Sequence, residues 1–169
     1  DFDGSVNSLV IDPYRPTTIY AGTSFAVYKS TDGGVKWIKV KSSYGIEITA
    51  IAIDPLAPSS LYAGGRGGPF YRSTDGGGTW YENNLGLFVH ALAITPGKPS
   101  ILYAGGLGEY TGMLQSTDGG LNWTPVNGGL PDTDVFALAV DPVTPTTLYA
   151  GTHYRGMFKS TDGGANWFP

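Results

Sequence analysis

An octapeptide, Ser-Thr-Asp-Gly-Gly-x-x-Trp, stands four times in this chain of 169 residues, at 30–37, 73–80, 116–123 and 160–167. Its tryptophans, Trp37, Trp80, Trp123 and Trp167, follow one another at intervals of 43, 43 and 44 residues. A unit that recurs at such a period builds its core by stacking on copies of itself, as propellers and solenoids do. Four tandem units leave no length for a second fold. The expected organisation is therefore a single repeat domain, 1–169, with blades at about 1–41, 42–84, 85–127 and 128–169. With 26 Gly, 12 Pro and only 14% charged residues, the composition is that of many short strands joined by tight turns.

Each unit parses as four strands. The first (6–11, 48–53, 89–94, 135–140) carries bulky residues at one parity, such as Leu9 and Ile11 or Ile51 and Ile53, and mostly small ones at the other, such as Ala50 and Ala52 or Ala137 and Ala139. A sheet with one wet face alternates apolar with polar. Two apolar faces predict instead a strand sandwiched between sheets, the large side chains of one against the small ones of the next. An Asp-Pro turn, or Thr95-Pro96 in the third unit, ends that strand, because proline fixes φ and has no N–H for the ladder. The second strand (19–22, 61–64, 102–105, 148–151) carries a tyrosine suited to a contact between blades. A third strand (27–30, 70–73, 113–116, 157–160) runs into the octapeptide, and the fourth starts at its tryptophan. The octapeptide is thus a hairpin: its paired glycines allow positive φ, and its aspartate accepts hydrogen bonds from amides of the same loop.

Ser30, Asp32, Gly34 and Trp37 match the pattern Ser-x-Asp-x-Gly-x-x-Trp, as do Ser73, Asp75, Gly77 and Trp80; Ser116, Asp118, Gly120 and Trp123; and Ser160, Asp162, Gly164 and Trp167. This pattern resembles the Asp-box, or bacterial neuraminidase repeat. The resemblance implies an all-β fold of β-propeller blades, as in sialidases, xyloglucanase-type glycosidases, sortilin-like receptors and photosystem II assembly factors. Each blade is expected to be a four-stranded antiparallel meander with the Asp-box between strands three and four. Sialidases with Asp-boxes also use an arginine cluster, a tyrosine nucleophile with a glutamate, and an acidic general acid. The arginines here are Arg15, Arg66, Arg72 and Arg155, and no catalytic residue maps across.

A residue present once per blade lies on a ring, far from its copies. Asp32, Asp75, Asp118 and Asp162 therefore read as structural, and Asp12, Asp54 and Asp141 as caps of the turn before proline. Function is expected where the repeats disagree: in the loops 23–26, 65–69, 106–112 and 152–156 and the links 42–47, 82–88 and 127–134, which emerge on the face opposite the Asp-boxes. The ligand-contact candidates there are Arg66, Glu109, Tyr110, His153, Tyr154 and Arg155, since exposed aromatics beside charges suit sugars and peptides. Asp1, Asp3, Glu47, Glu82, Glu109, Asp132 and Asp134 fall in or beside these segments and predict an acidic face. A glycosidase carboxylate pair would be drawn from Glu47, Glu82 and Glu109, but nothing in their context singles out two. His90 replaces Asn7, Thr49 and Phe136 at one inner-strand position and reads as packed or channel-facing.

With no cysteine and two histidines, neither a metal nor another cofactor is expected. A net charge of -4 without a basic cluster argues against nucleic acid, and no apolar run reaches the roughly 18 residues of a membrane span. The reading is a non-catalytic scaffold or binding module, extracellular or envelope-associated, that recognises a protein or glycan through its variable face or assembles with itself. Its alternative is a fragment of an Asp-box glycoside hydrolase. Four blades left as an open arc expose the apolar faces of the first and last. A closed four-bladed ring, two chains giving eight blades, or further blades in a longer parent would cover them. The last two are favoured because a ring of four four-stranded blades is sterically tight.

Overall fold

The structure, a computed structural model, describes residues 2–108, 112–131 and 134–169. Its strands form four antiparallel sheets, each ordered as the chain is ordered. The first contains β1 (Val6–Ile11), β2 (Ile19–Thr23), β3 (Ala26–Ser30) and β4 (Ile38–Ser42); the second β5 (Ile48–Ile53), β6 (Leu61–Gly65), β7 (Pro69–Ser73) and β8 (Tyr81–Asn84). The third contains β9 (Phe88–Ile94), β10 (Leu102–Leu107), β11 (Met113–Ser116) and β12 (Thr124–Pro125); the fourth has three strands, β13 (Val135–Val140), β14 (Leu148–Thr152) and β15 (Gly156–Ser160). A single bridge between Lys159 and Phe168 stands in the place of its fourth strand. The chain is all-β and each sheet is a blade.

The core lies between blades. In the first layer, Tyr20 and Val27, with Val10 and Val40, meet Ile51, Leu61 and Tyr71 of the second blade. In the second layer, Ala50, Tyr62 and Phe70 meet Leu92, Leu114 and Trp123. In the third, Tyr103 and Met113 meet Val135, Leu148, Phe158 and Trp167. The bulky parity of each first strand thus faces the preceding blade and the small parity the following one. At the two ends this alternation departs from a strand covered on both sides. Leu9 and Ile11, on the outer face of the first sheet, are 61% and 53% exposed, and Ala137 and Ala139 are exposed on the far side of the fourth. Phe2 covers a corner of the first face by packing on Tyr28 and Trp37, with ring centroids 5.1 and 5.0 Å away.

The turns build two distinct ends. Buried Asp12 accepts from the amides of Tyr14 and Arg15 (2.9 and 3.1 Å), and Asp54 and Asp141 hold their own turns in the same way. In the third unit, Thr95 Oγ1 instead accepts from the Ile101 amide at 2.8 Å. The octapeptides lie against these turns through amide-to-carbonyl bonds from Gly33 to Thr17, Gly76 to Ser59 and Gly163 to Thr146, each 2.9 Å. At the other end the links run beside the loops between second and third strands, with Ser43 bonded to Phe25 and Leu85 to Gly68, both at 2.9 Å, and His153 to Asp134 at 3.0 Å.

Candidate functional site

The octapeptide carboxylates are engaged within their own hairpins. Ser30 Oγ donates to Asp32 at 2.8 Å and accepts from the Gly34 amide at 2.9 Å, while Asp32 accepts from the Lys36 amide at 2.9 Å. The arrangement recurs around Asp75, Asp118 and Asp162. Hydrogen bonds from the amide and hydroxyl of Thr79 hold the Asp75 carboxyl down to about 2. The amide and side chain of Asn122 do the same for Asp118, and the side chain and amide of Asn166 for Asp162, each also at about 2. The Lys36 amide lowers Asp32. The indoles of Trp37, Trp80 and Trp123 close back on the second octapeptide glycine, donating to Gly34, Gly77 and Gly120. Trp167 differs: its Nε1 donates to Val126 of the preceding blade at 2.9 Å, because the link at Gly128 pairs beside Asn166 and draws the fully buried ring inward.

At the opposite end a second regular feature places the variable residues. Each first strand slips register by one residue near its start, leaving Asn7, Thr49, His90 and Phe136 without a paired residue on the neighbouring strand. Such a bulge bends the strand and re-aims the extra side chain. Asn7 and Thr49 reach across to the next blade and donate to the carbonyls of Ile48 and Val89. His90 and Phe136 replace that bond with a stack, centroids 4.3 Å apart and planes at 12°. The row then continues through His153, 5.1 Å from Phe136, to Tyr154, 3.9 Å from His153. Phe136 is 47% and Tyr154 75% exposed, so the row presents aromatic surface to solvent. Burial, and after it the Arg66 charge, pushes the half-buried His90 below its ordinary value, partly opposed by Asp134.

Of the six ligand candidates, Arg66, His153 and Tyr154 are brought to this row, Arg66 through its charge on His90. The Arg155 amide closes the loop on Thr152 Oγ1 at 3.2 Å. Glu109 and Tyr110 lie outside the described residues. Phe136 is the row's central member and was legible only as a disagreement among the repeats at the His90 position. Of the seven acids expected to make this face acidic, Asp1, Glu109 and Asp132 lie outside the described residues, and each of the other four stands beside a basic side chain. Asp3 pairs with Lys39, Glu47 with Arg66 at 3.6 Å, Glu82 with Lys41 at 3.9 Å, and Asp134 lies 3.7 Å from His153. No three His, Asp or Glu side chains gather to hold a metal among the described residues, and no helix there is long and apolar enough to cross a membrane.

The family model of the BNR/Asp-box repeat matches residues 71–82. No curated protein sequence matches the chain. Among solved structures, the chain is similar to the GH74 enzyme of Niastella koreensis, with 26% identity and a TM-score of 0.79 over 98% of this chain and 29% of that one. The GH74 xyloglucanase of Xanthomonas campestris aligns over 95% of this chain and 29% of its own, with 22% identity and a TM-score of 0.73. YCF48, in a structure bound to D1 peptide, aligns over 99% of this chain and 53% of its own, with 18% identity and a TM-score of 0.68. The chain therefore spans under a third of the GH74 enzymes and about half of YCF48. The Asp-box match at residues 71–82 and the likeness to these structures over nearly the whole chain agree on one fold, blades of the β-propeller type.

Proposed function

We propose that the chain is a non-catalytic binding scaffold that takes a protein segment or a glycan on the aromatic row at its variable end. The observation that carries this reading is the convergence of His90, Phe136, His153 and Tyr154, from two blades, into one partly exposed stack beside Arg66 and Asp134. Flat apolar faces next to charges suit the C–H faces of sugars and the side chains of peptides. The repeated carboxylates, each engaged in its own hairpin, support a structural role for the boxes, and the peptide-bound YCF48 neighbour supports a protein ligand.

Paired glycan and peptide arrays test the reading. Phe136→Ala and Tyr154→Ala should each weaken any ligand found by about tenfold or more, as loss of an aromatic anchor does, while leaving the exposed loop region folded. Unchanged affinity in both variants would sink it. The likeness to GH74 enzymes favours a second reading, a fragment of a glycoside hydrolase. Its signature would be turnover of a bound glycan, abolished by Glu47→Gln or Glu109→Gln. An extracellular or envelope-associated location belongs to the same proposal, and fractionation of producing cells tests it.

A further inference from the structure

Two pairings build the contacts between blades, and each leaves one half unused at either end of the chain. The first is a knob in a hole. A Cβ added to Gly22 would lie 2.7 Å from Ile48 of the next blade, one on Gly64 2.6 Å from Val89, and one on Gly105 2.7 Å from Val135. Glycine is needed in each second strand because a buried β-branched residue, at most 1% exposed, occupies that space. The fourth glycine, Gly151, meets only Ala137 of its own sheet, at 3.4 Å. The corresponding fourth knob, Val6, is 41% exposed on the first blade.

The second pairing is a polar latch onto the octapeptide of the next blade. The Tyr20 hydroxyl and Lys29 Nζ donate to the Gly76 carbonyl at 3.0 and 2.8 Å, and Tyr103 and Gln115 donate to Gly163 at 3.0 and 3.1 Å. At the middle contact, Tyr62 Oη and Arg72 Nη2 stand 3.7 Å from where a Cβ of Gly119 would lie. On the fourth blade, Lys159 stands over the Tyr149 ring at 5.6 Å, as Lys29 does over Tyr20 at 5.3 Å, yet neither Lys159 nor Tyr149 makes a side-chain hydrogen bond among the described residues. The unused acceptor is Gly33 of the first blade, around whose Cβ position no atom comes within 4 Å.

We infer that a second copy of this chain completes both pairings, head to tail. Its Val6, Leu9 and Ile11 enter the hollow of about 500 Å³ lined by Ala137, Tyr149, Gly151 and Met157, and its Gly33 carbonyl receives Tyr149 and Lys159. The occupant is specified by the chain itself, since both halves of a contact already made three times between its own blades are exposed on one molecule. Phe2 supports the fit. Val40 and Val126 of a preceding blade pack with Trp80 and Trp167 at interior contacts, whereas Phe2 of the same blade packs on Trp37. The corner facing the three-stranded fourth sheet is thus already filled. Two copies joined by two identical contacts close a ring of eight blades, within the four to eight that propellers use.

The mass of the 169-residue chain in solution, measured by light scattering over a concentration series, tests this. The expected species is a dimer. Gly151→Val fills the hole while its Cβ meets its own chain only at Ala137, in ordinary van der Waals contact at 3.4 Å, and Leu9→Asp places a charge on the facing half; each should raise the dimer dissociation constant by about a hundredfold or more. Tyr149→Phe should raise it by about tenfold. Leu121→Asp, at a leucine 60% exposed on an interior blade, should leave it unchanged. Circular dichroism verifies that each variant folds. Mixing Gly151→Val with Leu9→Asp should give a heterodimer tighter than either variant alone and weaker than wild type, because one of its two contacts is intact and the other carries both blocks. A wild-type monomer at the highest soluble concentration overturns the proposal, as does a dimer that survives both blocking variants.

Discussion

Tyr20 and Gly76 lie 56 residues apart in sequence and meet across the first inter-blade layer, hydroxyl donating to carbonyl at 3.0 Å. Tyr20→Phe removes that donor while Lys29 keeps its own bond to the same carbonyl at 2.8 Å. The expected loss is about 1 kcal/mol of folding free energy. Tyr103→Phe should cost more, because its oxygen both donates to Gly163 and accepts from Gln115. Urea denaturation at fixed protein concentration checks the order, and equal stability of the two variants and wild type would refute it.

Gly64→Ala would place a methyl 2.6 Å from both Cβ and Cγ1 of Val89. Neither atom is the free end of a long side chain, so the sheets must separate, at a cost of about 1–3 kcal/mol. Val89→Ala removes the opposing methyls and should recover part of that loss when combined with Gly64→Ala. A double-mutant cycle measures the coupling. Simple additivity would show that these two residues do not compete for one space.

Acid should loosen the hairpins in a defined window. Asp75, Asp118 and Asp162 are held at about 2 in the fold against an ordinary 3.8, so the folded state binds fewer protons than the unfolded one between these values. Their contribution is complete above the unfolded value and is lost as pH falls through the folded one. The melting temperature should therefore show a separate drop between about pH 4 and pH 2. Asp75→Asn should start lower at neutral pH and fall less across that window. A wild-type curve with no drop between about pH 4 and pH 2, or one that Asp75→Asn leaves unchanged, would refute the assignment.

His90 gives the second titration. Burial and Arg66 both hold it below its ordinary 6.5, so the neutral ring is the form the fold favours. The stability it contributes is present above that value and is lost as pH falls through its lowered midpoint. Arg66→Gln should raise the midpoint in part, since burial is the larger cause. Proton NMR of the imidazole reads this directly, and a midpoint unmoved by Arg66→Gln would remove Arg66 from the site's electrostatics.

Local rules made most of the frame readable. The alternation of Ile51 and Ile53 with Ala50 and Ala52 announced a strand covered on both faces, and the paired glycines after Asp75 announced its hairpin. The aromatic row was not readable in the same way. His90, Phe136 and His153 meet through a one-residue register slip repeated in successive blades, and nothing local marks Val89 or Val135 as the start of a bulge. Trp167 likewise obeys its octapeptide in sequence but turns to Val126, 41 residues away, because the Gly128 link lies alongside it.

The recurring glycine hole and tyrosine latch also bear on how such a chain changes length over evolutionary time. Each unit carries the socket for its successor and the plug for its predecessor, so duplication of one 43-residue segment adds a member without requiring new compensating substitutions in its neighbours. Divergence is then confined to what the sockets do not touch. Lineages can lengthen, split or rejoin such arrays while each unit's variable loops drift toward separate tasks.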